Sequence, residues 1–358
     1  MSAPGLPQPD ILIAGAGIIG LTLALELHAR GAQVTVLERD TALAHASTAA
    51  AGMLAVHDPH NPSALYSLSH FSGELYPGFL DRIAELSGEA VPFQTDATLQ
   101  QHDGKPHNPT RHLLPWDLDR LLPGHALHHM HLDLIVEHSI DPRQLAAALL
   151  AAVRNTGIDL REHTPAKGRP RAGAFIDCRG PWSSSPIRPR KGQMLAVEMP
   201  SSMALDLVLR TKDIYIVPRT RGPHAGRAII GATVVDVGVD VAVRPENIHA
   251  LHTRAAELLP RLAEARVLES WAGLRPGTPD DLPLIGATNL KRRQFIAAGH
   301  FRNGILLAPA TAHVIADLIE GKPPTVDLTP YSPDRFTRNS QLEAQNSEPK
   351  NRKLVADN

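Results

Sequence analysis

The residues with the clearest chemical meaning come first in the chain. Gly15-Ala16-Gly17-Ile18-Ile19-Gly20 has the spacing of a dinucleotide-binding turn. The first glycine permits the tight turn, the second lets the backbone approach a pyrophosphate, and the third lets a helix pack closely on a sheet. A helix opening there turns free N–H groups and its positive dipole end toward the phosphates. Glu38 follows roughly twenty residues on, where a carboxylate can accept hydrogen bonds from a ribose hydroxyl. The motif by itself fits NAD as well as FAD, and its N-terminal position favours FAD. Ser47-Thr48-Ala49-Ala50-Ala51-Gly52-Met53-Leu54 adds a run of small residues whose backbone can lie against a flat ligand. His125, His128, His129 and His131 invite a metal reading. No acidic or cysteine partner stands at ligand spacing beside them, so a solvated polar segment is the reading and no metal is expected.

These groups need elements to hold them. The pattern predicts a strand at Ile11–Ala14, a helix at Ile18–Arg30 and a strand at Gln33–Glu38. It also predicts a helical region over Ser63–Leu86 and a helix over Asp141–Thr156, opened by Asp-Pro, an N-cap followed by proline at the first helical position. Short strands are predicted at Ala174–Asp177, Met194–Val197, Ile214–Val217 and Ala228–Gly231. Helix Asn247–Leu259 leads into an extended Val267–Pro276, and strand Phe295–Ala298 precedes helix Gly304–Glu320. Pro92 to Gly124 carries weak periodicity. After Pro330 the chain turns polar and reads as a mobile tail.

The 358 residues suggest about two domains. Lys plus Arg is 36 and Asp plus Glu is 37, a balance that argues against a nucleic-acid binder. The one cysteine, Cys178, excludes an internal disulfide framework and a cysteine-rich zinc site. The start lacks the order of a signal peptide. The longest uncharged apolar stretch, from Ile11 to Leu25, is broken by glycines and falls short of the ~20 residues that span a bilayer. The expectation is a cytoplasmic protein of bacterial type with no membrane partner.

Three later segments carry a resemblance: Tyr215-Ile216-Val217-Pro218-Arg219, Trp271-Ala272-Gly273-Leu274-Arg275-Pro276-Gly277-Thr278-Pro279-Asp280, and Ala298-Gly299-His300-Phe301-Arg302-Asn303-Gly304-Ile305-Leu306-Leu307-Ala308-Pro309. With the glycine motif and Gly231-Ala232-Thr233-Val234, the chain resembles the D-amino-acid oxidase superfamily of flavoenzymes, most of all its glycine oxidase branch of the thiamine pathway. The resemblance covers roughly Asp10 to Leu328. It implies an α/β fold with a Rossmann-type FAD-binding domain and a β-sheet-rich (α+β) substrate domain. The expected boundaries are 1–80, 138–185 and 269–330 for the FAD domain, 81–137 and 186–268 for the substrate domain, and 331–358 for the tail.

The resemblance also implies roles. FAD would be held without a covalent bond by Gly15, Ala16, Gly17, Ile18, Ile19, Gly20, Glu38, Arg39, Thr48, Ala49, Ala50, Gly52, Met53, Gly180, Trp182, His300, Arg302, Asn303, Gly304, Ile305 and Leu306. Arg275 matches the carboxylate-binding arginine, Tyr215 a tyrosine that adds a hydrogen bond to that carboxylate, and Arg302 an arginine beside flavin and substrate. The planar fork of arginine suits a carboxylate, and holding it places Cα for hydride removal, which is positioning rather than acid–base work. Asp213 would shape the pocket mouth, and Ile305, Leu306 and Val234 would make it narrow and apolar. The helix opening at Asn303-Gly304 would aim its dipole at the reduced flavin.

The implied reaction is oxidation of glycine and small amines to an imino acid, then glyoxylate and ammonia, with O2 reduced to H2O2. The implied assembly is a homo-oligomer, a tetramer by family analogy. A sarcosine or small D-amino-acid oxidase, a flavin protein without oxidase turnover and an NAD module remain open beside it. Two departures stand out: Arg179 is a bulky charge where relatives have a small residue, and Thr164–Gly173 is short and Pro-rich.

Overall fold

A computed structural model of the chain describes residues 10–102, 111–113, 115–167, 172–183 and 186–336. The chain opens with β1 (Ile11–Ala14), α1 (Ile18–Ala29) and β2 (Val34–Leu37). β1 and β2 run parallel, with Ile11 opposite Val34. α1 is apolar around most of its circumference, so it is buried on both sides.

The elements that follow are α2 (Ala46–Ala49), α3 (Tyr66–Ser87), β3 (Phe93–Thr95), β4 (Thr98–Gln101), β5 (Arg111–His112), α4 (Pro115–Leu121), β6 (Leu132–Ile135), β7 (Ser139–Ile140) and α5 (Pro142–Arg154). Then come β8 (Asp159–Arg161), β9 (Ala174–Asp177), β10 (Arg188–Glu198), β11 (Val208–Arg210), β12 (Tyr215–Arg219), β13 (Arg227–Gly231) and α6 (Pro245–Leu258). The last are β14 (Val267–Gly277), β15 (Leu284–Asn289), β16 (Gln294–Ala298) and α7 (Gly304–Glu320).

Two large sheets organise the molecule. The first has the order β15-β16-β9-β1-β2-β8 and is parallel except at the β15 edge. Its central strand β1 is buried throughout, and α1, α3, α5 and α7 share the apolar core against this sheet. The second has the order β14-β10-β13-β12-β11-β4-β6-β5 and is antiparallel except between β4 and β11. Its own core lies under α4 and α6. The result is the α/β fold that the resemblance implies, with a second, sheet-rich half.

Most predicted elements appear with small shifts at their ends. Asp141 caps α5 as its Asp-Pro sequence predicts: its Oδ1 accepts from the Arg143 N–H at 2.9 Å. Other expectations are corrected. Met194–Val197 is the buried middle of the much longer β10. Pro92–Gly124 holds β3, β4 and β5, strands too short to show periodicity. The boundary placed at 269 falls inside β14, which pairs with β10 from Val267 to Gly277 and so belongs to the second sheet. The tail does not begin at 331: the Tyr331 hydroxyl donates to the Ala64 carbonyl at 2.6 Å, and Arg335 clasps the Asp280 carboxylate at 2.8 and 2.9 Å. Residues 337–358 lie outside the described part, as do 168–171 within the short Thr164–Gly173 segment.

Candidate active site

The glycine turn joins β1 to α1. Gly15 has φ +105, and a side chain there would meet the Cys178 carbonyl oxygen at 2.5 Å. A methyl group on Gly20 would lie 1.9 Å from the Gly15 carbonyl oxygen, so this glycine seats α1 on the turn. Around Gly17 the space is open except for the Ser47 hydroxyl at 3.4 Å. Glu38 closes the unit: its Oε2 accepts from the Ala16 N–H at 2.7 Å and its Oε1 from the Asp40 N–H at 3.0 Å. The carboxylate therefore stands at the end of β2 with its orientation fixed. Arg39 stacks over the Trp182 ring at 3.9 Å. Arg179 lines the cavity with its charge turned back on Asp177, at 2.9 Å from Nε and 2.6 Å from Nη2.

From this turn one cavity of about 480 Å³ runs to the second sheet. Gly15, Gly17, Ile18, Ile19, Glu38, Arg39, Gly180 and Trp182 line one end; Ala49, Ala50, Gly52 and Met53 line its flank; Tyr215, Arg275, His300, Arg302, Asn303, Gly304 and Ile305 line the other end. Four of the anticipated residues do not line it. Ala16 spends its N–H on Glu38 and Gly20 packs on Gly15. The Thr48 hydroxyl bonds the Leu43 carbonyl at 3.0 Å. Leu306 is a core residue, 1% exposed, because its position on α7 points away from the cavity.

At the far end, Arg275 comes from β14 and Tyr215 from β12. The Tyr215 hydroxyl donates to the Met194 sulfur at 3.1 Å. Burial pushes its pKa up, while the neighbouring Arg275 pulls the other way. Arg275 Nη1 donates to the Thr233 carbonyl at 3.1 Å, and burial lowers its pKa. Among the described residues no carboxylate pairs with Arg275. Its fork is therefore free to take a carboxylate from a ligand. Arg302 is more exposed and reaches the Asp58 carboxylate at 3.6 Å. Asp58 is held well below the usual carboxylate range by His60, Arg210 and Arg302, against the opposing effect of its burial. Asp213 is exposed and lines the mouth. His300 is buried, bonds the Thr311 hydroxyl at 3.0 Å, and has its pKa lowered to about 3 by burial, so it is a neutral group at physiological pH.

α7 begins beside these residues. Its N-cap, Asn303, makes no side-chain cap bond and instead donates from Nδ2 to Asn61 at 2.9 Å. The first-turn N–H groups of α7 therefore stay available on the cavity side, where Gly304 lines the wall.

Sequence reasoning missed three supporting residues. Gly192 leaves room for the Arg275 guanidinium, and Gly231 leaves room for the Tyr215 hydroxyl. Arg210, opposite Tyr215 across β11 and β12, is held by Gln100 and by Glu137 at 3.0 Å. Only the β-register could have found them, since each partner is distant in sequence.

The histidine segment does acquire an acid: Asp119 lies 3.2 Å from His125 and 3.5 Å from His128. However, His125 Nδ1 accepts from the Leu127 N–H at 2.9 Å. A neutral ring then carries its proton on Nε2, which faces Asp119 and offers no lone pair to a metal.

The cavity fits a dinucleotide with a flat ring at its far end. The turn leaves open space beside Gly17, Glu38 offers a carboxylate, and a helix start and an arginine without a carboxylate partner among the described residues border the other end. The fold and site define a dinucleotide-linked oxidoreductase whose second sheet lines the far end of the cavity. The chain belongs to the family of FAD-dependent oxidoreductases, which it matches over residues 10–318.

It is 34% identical over 352 residues to the bifunctional protein ThiO/ThiG of Nostoc sp., covering 87% of this chain and 52% of the relative. It is 30% identical over 366 residues to glycine oxidase of Geobacillus kaustophilus, covering 90% of this chain and 96% of the relative. The crystal structure of that Geobacillus enzyme superposes with a TM-score of 0.83 at 29% identity, covering 91% and 98% of the two chains. The chain spans about half the length of the ThiO/ThiG relatives it matches. Among the described residues no helix is long and apolar enough to cross a membrane.

Proposed function

We propose that this chain oxidises the amine of small α-amino acids, glycine foremost, with non-covalent FAD as the acceptor and O2 as the final oxidant. The observation that carries the reading is Arg275: a half-buried cation, without a carboxylate partner among the described residues, beside Tyr215 and at the far end of a cavity that starts at a dinucleotide turn. When bound, FAD takes up the two electrons released by the amine and returns them to O2, giving H2O2.

The protein's own part is to hold the substrate. Arg275 grips the carboxylate through its fork, and the Tyr215 hydroxyl adds a hydrogen bond, so that Cα faces the cavity flank lined by Ala49 to Met53. Arg302 and the start of α7 place positive potential around the same volume. The substrate loses a hydride from Cα and a proton from nitrogen and becomes an imine, which water converts to glyoxylate and ammonia. A dedicated base is not required. Asp58 is too weakly basic, His300 is engaged with Thr311, and Asp213 opens to solvent, so water takes the proton.

In thiamine biosynthesis the imine would pass to thiazole formation. The same reading makes Arg275, Tyr215 and Arg302 the substrate residues, assigns the two sheets to two domains, and takes a homotetramer in the cytoplasm as the working form. The test is the visible spectrum of the purified yellow protein under anaerobic conditions. Bleaching of the flavin band by glycine supports the reading. An unbleached flavin with glycine, sarcosine and D-alanine alike overturns it.

A further inference from the structure

The flank of the cavity formed by residues 49–53 is held from the second sheet by two side chains. Trp271 Nε1 donates to the Ala49 carbonyl at 3.1 Å, and Arg219 Nη2 donates to the Ala51 carbonyl at 2.8 Å. Both donors sit on the strands that carry the substrate residues. Trp271 is four residues before Arg275 on β14, and Arg219 is four residues after Tyr215 on β12. Residues four apart on a strand share a face.

The register joins the two strands as well. Tyr215 is opposite Gly231, Gly231 opposite Met194, and Met194 opposite Trp271. One row of four strands thus connects the substrate tyrosine to the tryptophan that grips the flank.

Both anchors are built in. Gly273, between Trp271 and Arg275, lies so close to the flank that a methyl group on it would stand 2.7 Å from the Ala49 Cβ. Arg143 covers the Trp271 ring at 4.8 Å. Arg219 is 4% exposed, and its pKa is lowered to about 10 by burial, with Asp141 restoring part of its charge preference. Asp141 lies 4.0 Å from Arg219 Nε and is the N-cap of α5, so the same arginine reaches the first half of the molecule in two places.

We propose that Arg219 and Trp271 are positioning residues: they fix the 49–53 flank, and with it the flavin that lies along it, at a set distance from Arg275 and Tyr215. A rigid strand then carries the substrate clamp at one point and the cofactor clamp at another. The spacing between the reacting atoms follows from strand geometry rather than from either ligand. This inference rests on the flavin-linked amine oxidation proposed above.

The experiment uses full-length holoenzyme with Trp271→Phe, which removes one N–H and keeps the ring, and with Arg219→Met and Arg219→Lys. Three readings are taken: the visible spectrum and midpoint potential of the bound flavin without substrate, the affinity for glycolate as an unreactive carboxylate, and the limiting rate of anaerobic reduction by glycine. A lost hydrogen bond of ordinary strength corresponds to about a five- to tenfold change. We expect Trp271→Phe and Arg219→Met to keep stoichiometric FAD and shift the flavin spectrum. The limiting reduction rate should fall about five- to tenfold or more, with glycolate affinity within about twofold of wild type. Arg219→Lys should recover part of the rate.

A wild-type spectrum together with a wild-type limiting rate in Trp271→Phe overturns the proposal. So does a loss confined to glycolate affinity. Should glycine fail to reduce even the wild-type flavin, the proposed reaction falls, while the flavin spectrum and potential still decide whether these two residues position the cofactor.

Discussion

The guanidinium of Arg275 lies directly over the backbone of Gly192, where a methyl group would stand 2.1 Å from its Nη1. The fork is also anchored by the Thr233 carbonyl, to which Nη1 donates, and stands beside the Tyr215 hydroxyl. A side chain at 192 must therefore displace the arginine, because the strand beneath it is buried and held to β14 at Gly273. Gly192→Ala is expected to retain FAD and lower kcat/KM for glycine about a hundredfold, the effect of misplacing a substrate anchor by about 1 Å. Steady-state kinetics alongside flavin stoichiometry check this, and undiminished kcat/KM would show that the fork has room to move.

Removing the fork itself should be harsher. Truncating one partner of a buried hydrogen-bonded charge pair typically costs about 2–5 kcal/mol. Arg275→Ala is therefore expected to lose roughly 30-fold to several thousand-fold in efficiency. Arg275→Lys should recover little, since an ammonium cannot reproduce the two-pronged grip. Part of the loss should appear in the limiting reduction rate measured by anaerobic stopped-flow. Near wild-type rate and affinity in the alanine variant would remove Arg275 from the role of carboxylate clamp.

Substrate size should be restricted. Val234 and Ile305 line the cavity near Arg275 and Tyr215, whereas Leu306 is turned into the core and plays no part. Glycine, sarcosine and D-alanine are expected to turn over better than D-phenylalanine in a peroxide-release assay. A preference for the aromatic amino acid would contradict the narrow pocket.

The flavin should come off with acid. Cys178, the sole cysteine, is buried at the end of β9 and its thiol is pushed well above its ordinary pKa by burial, which keeps it unreactive. Precipitation with acid is expected to leave a yellow supernatant and a white pellet. Colour retained in the pellet would reveal a covalent bond.

Acid should also weaken the fold through His300. Its folded pKa of about 3 lies below the ordinary value of 6.5, so between these values the unfolded chain binds a proton that the folded chain does not. Its contribution to stability is complete above about pH 6.5 and declines as the pH falls, by about 2 kcal/mol between pH 7 and pH 5. His300→Gln should flatten this part of the stability profile, as read by chemical denaturation at the two pH values. An unchanged slope would mean that other groups govern acid sensitivity there.

Much of this arrangement is legible in the sequence because its signals are local. The glycine turn, the strand before it and the Asp-Pro cap each act over a few residues, so β1, α1 and α5 appear close to where they are predicted. Helix α7 is mostly apolar and bounded by Asn303-Gly304 and Gly321. The supporting residues are not legible, because they act across the register. Nothing in Lys191-Gly192-Gln193 points to Arg275, and nothing in Gly52 or Ala51 points to Arg219. The histidine run shows the converse: Asp119 joins it in space, and the backbone bond to His125 then decides the proton on that ring.

The grip of Arg335 on Asp280 joins the end of the described chain to the turn that follows β14. Arg335 also donates to the Leu282 and Pro283 carbonyls at 2.8 and 3.1 Å, while Arg190 holds the same turn through Asp281 at 2.9 Å. That turn follows directly on the strand bearing Arg275. Residues 331–336 therefore fasten the turn beyond the clamp from one side while Arg190 fastens it from the other. Residues 331–336 thus brace the strand that bears Arg275 rather than starting a separate tail.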